Sequence, residues 1–241
     1  MYLWIIATFV AFFIKGLCGF ANTLVFTSIL GFGVNNINIS PIELILGYPT
    51  NLIMTWKNRN KLNKMIFIPL SVLVLAGSIP GAFMLKNIDV RYIKMTFGIV
   101  VVLIGIEMFL RELNILHIKQ SKFILGFIGI LSGVLCGLFG IGALLAAYVG
   151  RVAKDSDEFK ANISAVFIVE NTFRIILYCI LEIITLSSLK QAVLMMPFML
   201  AGLFAGMKSC RYLREKFVKQ MVIVLLIISG IMLVIKSGIS F

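Results

Sequence analysis

Three hydrogen-bond donors recur on one face of an apolar segment. The run 161–184 carries Asn171, Arg174 and Tyr178 at spacings of i, i+3 and i+7, which brings them to one side of a helix. An amide, a guanidinium and a phenol together suit an oxyanion. Because an arginine at the centre of a membrane helix costs about 2.5–3.5 kcal/mol, we expect Arg174 to bind a ligand. The alternative is an intrahelical ion pair with Glu170, four residues earlier.

A second polar group interrupts the run 41–56. In the sequence GYPTN, Pro49 precedes Thr50 and Asn51, and a proline inside a helix kinks or breaks it and frees backbone groups. We expect Thr50 and Asn51 to line a binding site, with Asn51 placed in the first half of the chain as Asn171 is in the second. An ordinary proline kink with local side-chain bonding is the alternative.

Glycines interrupt two apolar runs, 2–33 and 122–149, that are too long for one span of about 20 residues. The breaks fall at residues 16–23 and 137–142. A break inside the membrane creates a helix N-terminus whose free N–H groups attract anions, although glycine also serves close packing. The residues assigned to the site from these breaks are Gly19, Gly140 and Gly142, the capping candidates Asn22 and Thr23, and Lys15, which is either a substrate cation or a side chain that snorkels to water.

Two acidic segments predict helix starts. Ser40, Pro41 and Glu43 have the spacing of a capping box with proline at the first helical position, so a helix is expected to begin there. Residues 155–158, with the sequence DSDE, offer similar capping chemistry before the run 161–184.

The composition is that of a membrane protein. The 241 residues are 61% apolar and 13% charged, whereas soluble domains are about half apolar and a quarter charged. The net charge of +12 comes from cations clustered in short loops between apolar runs, as positive-inside anchoring requires, so nucleic acid is not an expected partner. We expect a multi-pass protein of a bacterial or archaeal inner membrane, with the lipid bilayer as its solvent.

The chain contains an internal repeat. Gly77, Gly81, Arg91, Lys94 and Gly105 recur 125 positions later as Gly202, Gly206, Lys216, Lys219 and Gly230, which indicates duplication of one half. Residues 1–111 form the first predicted repeat and residues 122–241 the second, joined by the basic loop 112–121. The paired glycines predict close helix packing.

The basic loops predict how the repeats are oriented. If every run crosses the membrane once, the loop cations divide almost evenly between the two sides. If the runs 2–33 and 122–149 each fold back, one side carries 15 loop cations and the other carries 5, which satisfies the positive-inside rule. The predicted fold is therefore an all-α membrane protein of two inverted repeats. Each repeat is a broken or re-entrant first segment followed by three transmembrane helices.

Enzyme motifs are missing from the sequence. His117 is the only histidine, and there is no metal-binding or nucleophile motif. No cofactor or metal is expected, coupling to protons or sodium stays open, and so does assembly into a homo-oligomer. An anion channel and the membrane subunit of an ATP-driven transporter remain alternatives to a secondary transporter.

The glycine-rich breaks and the mid-membrane asparagines resemble those of the TauE/SafE family of sulfite and organosulfonate exporters. The resemblance covers the whole chain and is closest at Gly137 to Ala143, whereas Ala21, Asn22 and Thr23 replace glycines that would be typical of the first copy. The resemblance implies transport of a small sulfur-containing oxyanion or another small organic anion. With the duplicated halves, it implies a secondary transporter that alternates access between the two repeats.

Overall fold

The computed structural model describes residues 1–30, 36–87, 142–210 and 212–239, together with positions 95, 98, 99, 101–103, 105, 106, 108–110, 126 and 130. No strand occurs in this described part. Its continuously described helices are α1 (Tyr2–Cys18), α2 (Asn22–Leu30), α3 (Asn36–Lys57), α4 (Lys64–Asn87), α5 (Ala143–Val152), α6 (Ser156–Ile180), α7 (Leu186–Cys210) and α8 (Glu215–Ile239), with a 3-10 turn at Arg59–Lys61. Within the described chain, α6 and α7 are long and apolar enough to cross a membrane.

The first apolar run breaks and folds back. Helix α1 ends at Gly19, whose φ of +91° is left-handed, and Ala21 with φ of +72° precedes α2. Helix α2 then returns along α1, so that the rings of Trp4 and Phe26 meet edge to face at 5.8 Å. The predicted break in this run is confirmed.

One predicted helix start is wrong and the other is confirmed. Helix α3 begins at Asn36, so Pro41 lies inside the helix and Ser40 is not its cap. The sequence interpretation failed because Glu43 binds side chains of α2 instead of folding back on its own helix. Before α6, Asp155 is the N-cap and accepts a hydrogen bond of 2.7 Å from the Glu158 backbone N–H.

Helices α3 and α6 run antiparallel at the centre of the bundle. The N-terminal part of α3 meets the C-terminal part of α6 where Ser40 contacts Tyr178. At their other ends, the turn after α3 meets the start of α6, where Lys61 pairs with Asp155. Helix α7 runs in the same direction as α3, because Ile39 shares a buried cluster with Ala192 near the start of α7, whereas the later residue Met54 shares one with Met207.

The two short helices α2 and α5 start at mid-depth and run to opposite ends. Helix α2 begins at Asn22, whose amide lies against Gly47 near the middle of α3, and its last residue, Leu30, packs with Ile39 at the start of α3. Helix α5 begins after Gly142, which lies against Phe167 near the middle of α6. It ends at Val152, close to the start of α6.

Three basic segments meet at one end of the bundle. The Lys57 amine lies 3.5 Å from the Met207 sulfur, the Lys61 amine lies 2.8 Å from Asp155, and Lys160 contacts Cys210. Segments 57–64, 151–160 and 208–219 therefore share one end, which we call the basic end. This arrangement contradicts the topology in which every run crosses once, because that topology places 57–64 opposite the other two.

Glycines bring α1 and α7 into close contact. A Cβ on Gly202 would lie 2.4 Å from the Phe9 carbonyl oxygen, and one on Gly206 would lie 2.1 Å from the Phe13 carbonyl oxygen. Only a residue without a side chain permits this approach. The packing role predicted for this pair is confirmed.

Candidate functional site

Arg174 lies buried between two carboxylates. Its Nη2 is 3.6 Å from Glu43 Oε2 on α3, and its Nη1 is 3.5 Å from Glu170 Oε1 on α6. All three side chains are at most 4% exposed, and the guanidinium carbon lies 5.6 Å from the centre of the Tyr178 ring. The intrahelical pair with Glu170, which was the alternative interpretation of Arg174, is therefore present, together with a second pair that the sequence did not indicate.

Glu43 is the functional candidate that the sequence analysis missed. Its Oε1 accepts hydrogen bonds from Asn22 Nδ2 at 2.5 Å and Thr23 Oγ1 at 2.8 Å. Those two residues are the first of α2, so Glu43 lies at the start of that helix. The sequence did contain a signal for Glu43, because it is a charged residue inside the apolar run 41–56. The same criterion identified Arg174.

Lys15 belongs to the same buried region. It is 1% exposed, its Nζ lies 3.4 Å from the carbonyl oxygen of Gly47, and it lies 5.9 Å from the centre of the Phe12 ring. A snorkelling lysine would reach water, so that alternative is wrong.

The residues after Pro49 are buried beside this cluster, although the helix does not break. Helix α3 is continuous through Pro49, which contradicts the predicted break. The Thr50 hydroxyl donates to the carbonyl oxygen of Gly47 at 2.6 Å, which is the local side-chain bonding of the alternative interpretation. The Asn51 side-chain oxygen is buried and has no hydrogen-bond partner in the described part of the chain.

Gly47 lies beside side chains from both halves of the chain. A Cβ built on it would lie 3.3 Å from Glu43 Oε1, 3.5 Å from Asn22 Nδ2 and 3.9 Å from Asn171 Nδ2. Because Asn171 also follows Glu170 directly, it lies at the edge of the Arg174 cluster. Its predicted position on the same face as Arg174 is therefore compatible with the structure.

Tyr178 closes one end of the cluster. Its hydroxyl lies 3.0 Å from the Ser40 hydroxyl across the α3–α6 contact. The ring covers the guanidinium and the phenol group reaches toward the end of the bundle away from the basic end. Tyr178 therefore stands between Arg174 and that end.

Two glycines of the breaks, Gly19 and Gly142, lie against α6. A Cβ on Gly19 would lie 2.9 Å from Lys160 Cγ, and one on Gly142 would overlap the Phe167 ring. Both glycines thus bring the breaks against α6. Gly140 and the rest of 137–141 lie outside the described residues, as does the loop 112–121.

The cluster is electrically balanced. Among the described side chains it gathers two cations, Lys15 and Arg174, and two carboxylates, Glu43 and Glu170. A buried charge needs such pairing to be tolerated in apolar surroundings. The cluster joins both halves of the chain, because Lys15 and Glu43 come from the first and Glu170 and Arg174 from the second.

In the described part of the chain, the charged cluster is enclosed by helices, two of which are long and apolar enough to cross a bilayer. The sequence matches the family described as Sulfite exporter TauE/SafE over residues 4–233. This chain belongs to that family of membrane exporters of sulfite and sulfonates. No match was found among the curated proteins or among the solved structures.

Proposed function

We propose that this protein is a secondary transporter that carries a small sulfur-containing oxyanion or organosulfonate across a bacterial or archaeal inner membrane. Membership of the sulfite exporter family supports the substrate class. The observation that carries the proposal is the buried cluster in which Arg174 of the second half pairs with Glu43 of the first. A polar site at the junction of two halves is where transporters built from repeats bind their substrates.

Alternating access requires two halves that move against each other, and inverted repeats provide them. The directions of the helices support this arrangement. Helix α2 of the first half runs opposite to α5 of the second, α3 runs opposite to α6, and α4 runs opposite to α7. Rocking of one half against the other would open the cluster first to one side of the membrane and then to the other.

Arg174 is the proposed anchor for the anion. Its ion pairs with Glu170 and Glu43, at 3.5 and 3.6 Å, are longer than the 2.7–2.9 Å or so of a strong charge-assisted hydrogen bond. A substrate oxyanion can therefore displace a carboxylate oxygen without breaking a tight bidentate pair. The neighbouring donors proposed to complete the site are Lys15, Asn22, Thr23, Thr50, Asn51, Asn171 and Tyr178.

Charge balance favours a coupled cation. The four ionised side chains of the cluster sum to zero, so an anion that enters alone would leave a buried negative charge. Such a charge is costly in a low-dielectric site. We propose that a proton or a sodium ion accompanies each anion and is held by Glu43 or Glu170.

Reconstitution into liposomes tests the proposed activity. The purified protein is expected to release trapped sulfite with a rate that saturates with concentration. Single-channel currents would instead show an anion channel. Tight anion binding without flux by the protein alone would favour the membrane subunit of an ATP-driven transporter.

A further inference from the structure

A cavity of about 580 Å³ opens at the basic end, separate from the Arg174 cluster. Gly16, Met54 and Met207 lie at its buried inner part, whereas Lys57 and Asp157 are exposed at its rim. Helices α1, α3, α6, α7 and α8 all contribute to its walls. Both halves of the chain therefore enclose it.

Lys160 is the buried charge of this cavity. It is 5% exposed, and its Nζ lies 2.7 Å from the Cys210 sulfur, which also lines the cavity. Within the described chain, no carboxylate lies within ion-pairing distance of this amine. A thiol is a weak hydrogen-bond acceptor, so the ammonium has poor compensation for its burial.

The acidic residues near the cavity are bound elsewhere or stand at the rim. Asp155 pairs with Lys61 and caps α6. Glu158 accepts hydrogen bonds from the Lys154 backbone N–H and from Asn63 Nδ2. Asp157 is exposed. The interior is therefore positive around Lys160, which lies in the second turn of α6.

The inner wall of the cavity leads toward the central cluster. Gly16 directly follows Lys15 in α1, and Met54 lies one helical turn after Asn51 in α3. Asn51 carries a buried oxygen without a hydrogen-bond partner among the described residues. Along α3, Asn51 thus lies between Glu43 of the central cluster and Met54 of the cavity wall.

We propose that this cavity is an anion-binding vestibule in which Lys160 holds a small oxyanion, a sulfate-like or sulfonate group, before it passes to the central cluster. This inference rests on the proposed transport function for the second step, but the binding site itself does not require transport. It gives a binding role to Lys160, a residue that the sequence analysis had no reason to assign to a site.

Protection of Cys210 from alkylation measures occupancy of the vestibule directly. In a variant that keeps Cys210 and replaces Cys18, Cys136 and Cys179 by serine or alanine, maleimide labelling is followed in neutral detergent, where no bulk phospholipid competes. Sulfate and methanesulfonate are the probes, because sulfite itself consumes maleimide. Both are expected to slow labelling in a saturable way, whereas gluconate at equal ionic strength is not.

The Lys160→Gln substitution in the same background identifies the binding group. It is expected to weaken protection by sulfate at least about tenfold, because it removes a charged hydrogen-bond partner. Lys160→Arg is expected to retain protection. Lys64→Gln is the matched control, since Lys64 is an exposed cation of the same end and lies outside the cavity.

Two results would overturn the inference: no protection of Cys210 by either probe, or equal protection in the Lys160→Gln and Lys64→Gln variants. The proposed function fails differently. Saturable protection in a protein that moves no anion across liposomes would support the vestibule and reject transport. Sulfite flux through a protein whose Cys210 is never protected would support transport and reject the vestibule.

Discussion

Arg174 of α6 lies 3.6 Å from Glu43 of α3, so one buried ion pair ties the second half of the chain to the first. The same carboxylate also binds Asn22 and Thr23 at the start of α2. Glu43 thereby links three helices at the depth where the first apolar run breaks. A movement of the two halves against each other must rearrange these contacts.

The Arg174→Ala substitution is expected to destabilise the protein as well as to stop transport. It leaves two buried carboxylates facing one lysine, and breaking a buried pair costs about 3–5 kcal/mol. The double variant Arg174→Gln with Glu170→Gln keeps one cation and one carboxylate, so its thermal midpoint is expected to lie closer to that of the wild type. Thermal unfolding in detergent measures both. A double variant no more stable than Arg174→Ala would contradict this charge balance.

Gly206→Ala is expected to separate α1 from α7. The added Cβ would lie 2.1 Å from the Phe13 carbonyl oxygen, and overpacking of this kind costs about 1–3 kcal/mol. Gly126→Ala is the matched control, because a Cβ there meets no atom of the described residues within 4 Å. The midpoint of thermal unfolding should fall for Gly206→Ala alone. An equal fall of the midpoint in both variants would show that the close approach of α1 and α7 contributes nothing to stability.

The N-cap of α6 is expected to make a pH-dependent contribution to the free energy of unfolding. The hydrogen bond from Lys61 lowers the pKa of Asp155 and raises that of Lys61. A carboxylate with a lowered pKa stabilises the fold above its unfolded pKa of about 3.9, and this contribution is lost as pH falls through the folded value. The contribution of Lys61 is present below about 10.4 and is lost as pH rises through its raised pKa.

Thermal unfolding of Asp155→Ala and Asp155→Asn from pH 3 to 9 measures the two parts of that contribution. The alanine variant loses the cap, worth about 1 kcal/mol, and the asparagine variant keeps a cap but loses the ion pair. Both deficits are expected to stay constant from pH 5 to 9. The deficit of the asparagine variant should shrink in acid, and a deficit that grows instead would reverse the assigned direction.

Tyr178→Phe and Ser40→Ala separate binding from packing at the end of the cluster. Either change breaks the 3.0 Å contact between the two hydroxyls, so each should cost about 0.5–1.5 kcal/mol of stability. We expect only Tyr178→Phe to raise the concentration of anion needed for half-maximal flux, because only the phenol adjoins Arg174. Equal flux constants in the two variants would remove Tyr178 from the site.

The sequence was sufficient to predict the structural features that have a local cause. Glycine-rich segments inside an overlong apolar run indicated the break at Gly19, and the cations of the loops indicated that 57–64, 151–160 and 208–219 share an end. The Asp155 cap also follows from neighbouring residues. Each of these features depends on residues a few positions apart, or on a charge rule that needs no three-dimensional contact.

The features that the sequence analysis missed depend on contacts between residues that are distant in sequence. Glu43 and Arg174 are 131 positions apart, so nothing near Glu43 indicated its partner, and a local capping box was the nearest explanation. Pro49 failed as a predicted break for a similar reason. Its helix is held by packing against α6 and α7, which the local preference of proline does not include.

Sulfite efflux from liposomes containing the charge-balanced variant, Arg174→Gln with Glu170→Gln, tests the role of the central cluster most directly. The wild-type protein and a Lys64→Gln control should both show saturable efflux, and the folded double variant should show none. Efflux from that variant at wild-type affinity and rate would mean that the anion does not use the buried guanidinium, and the proposed site would be wrong.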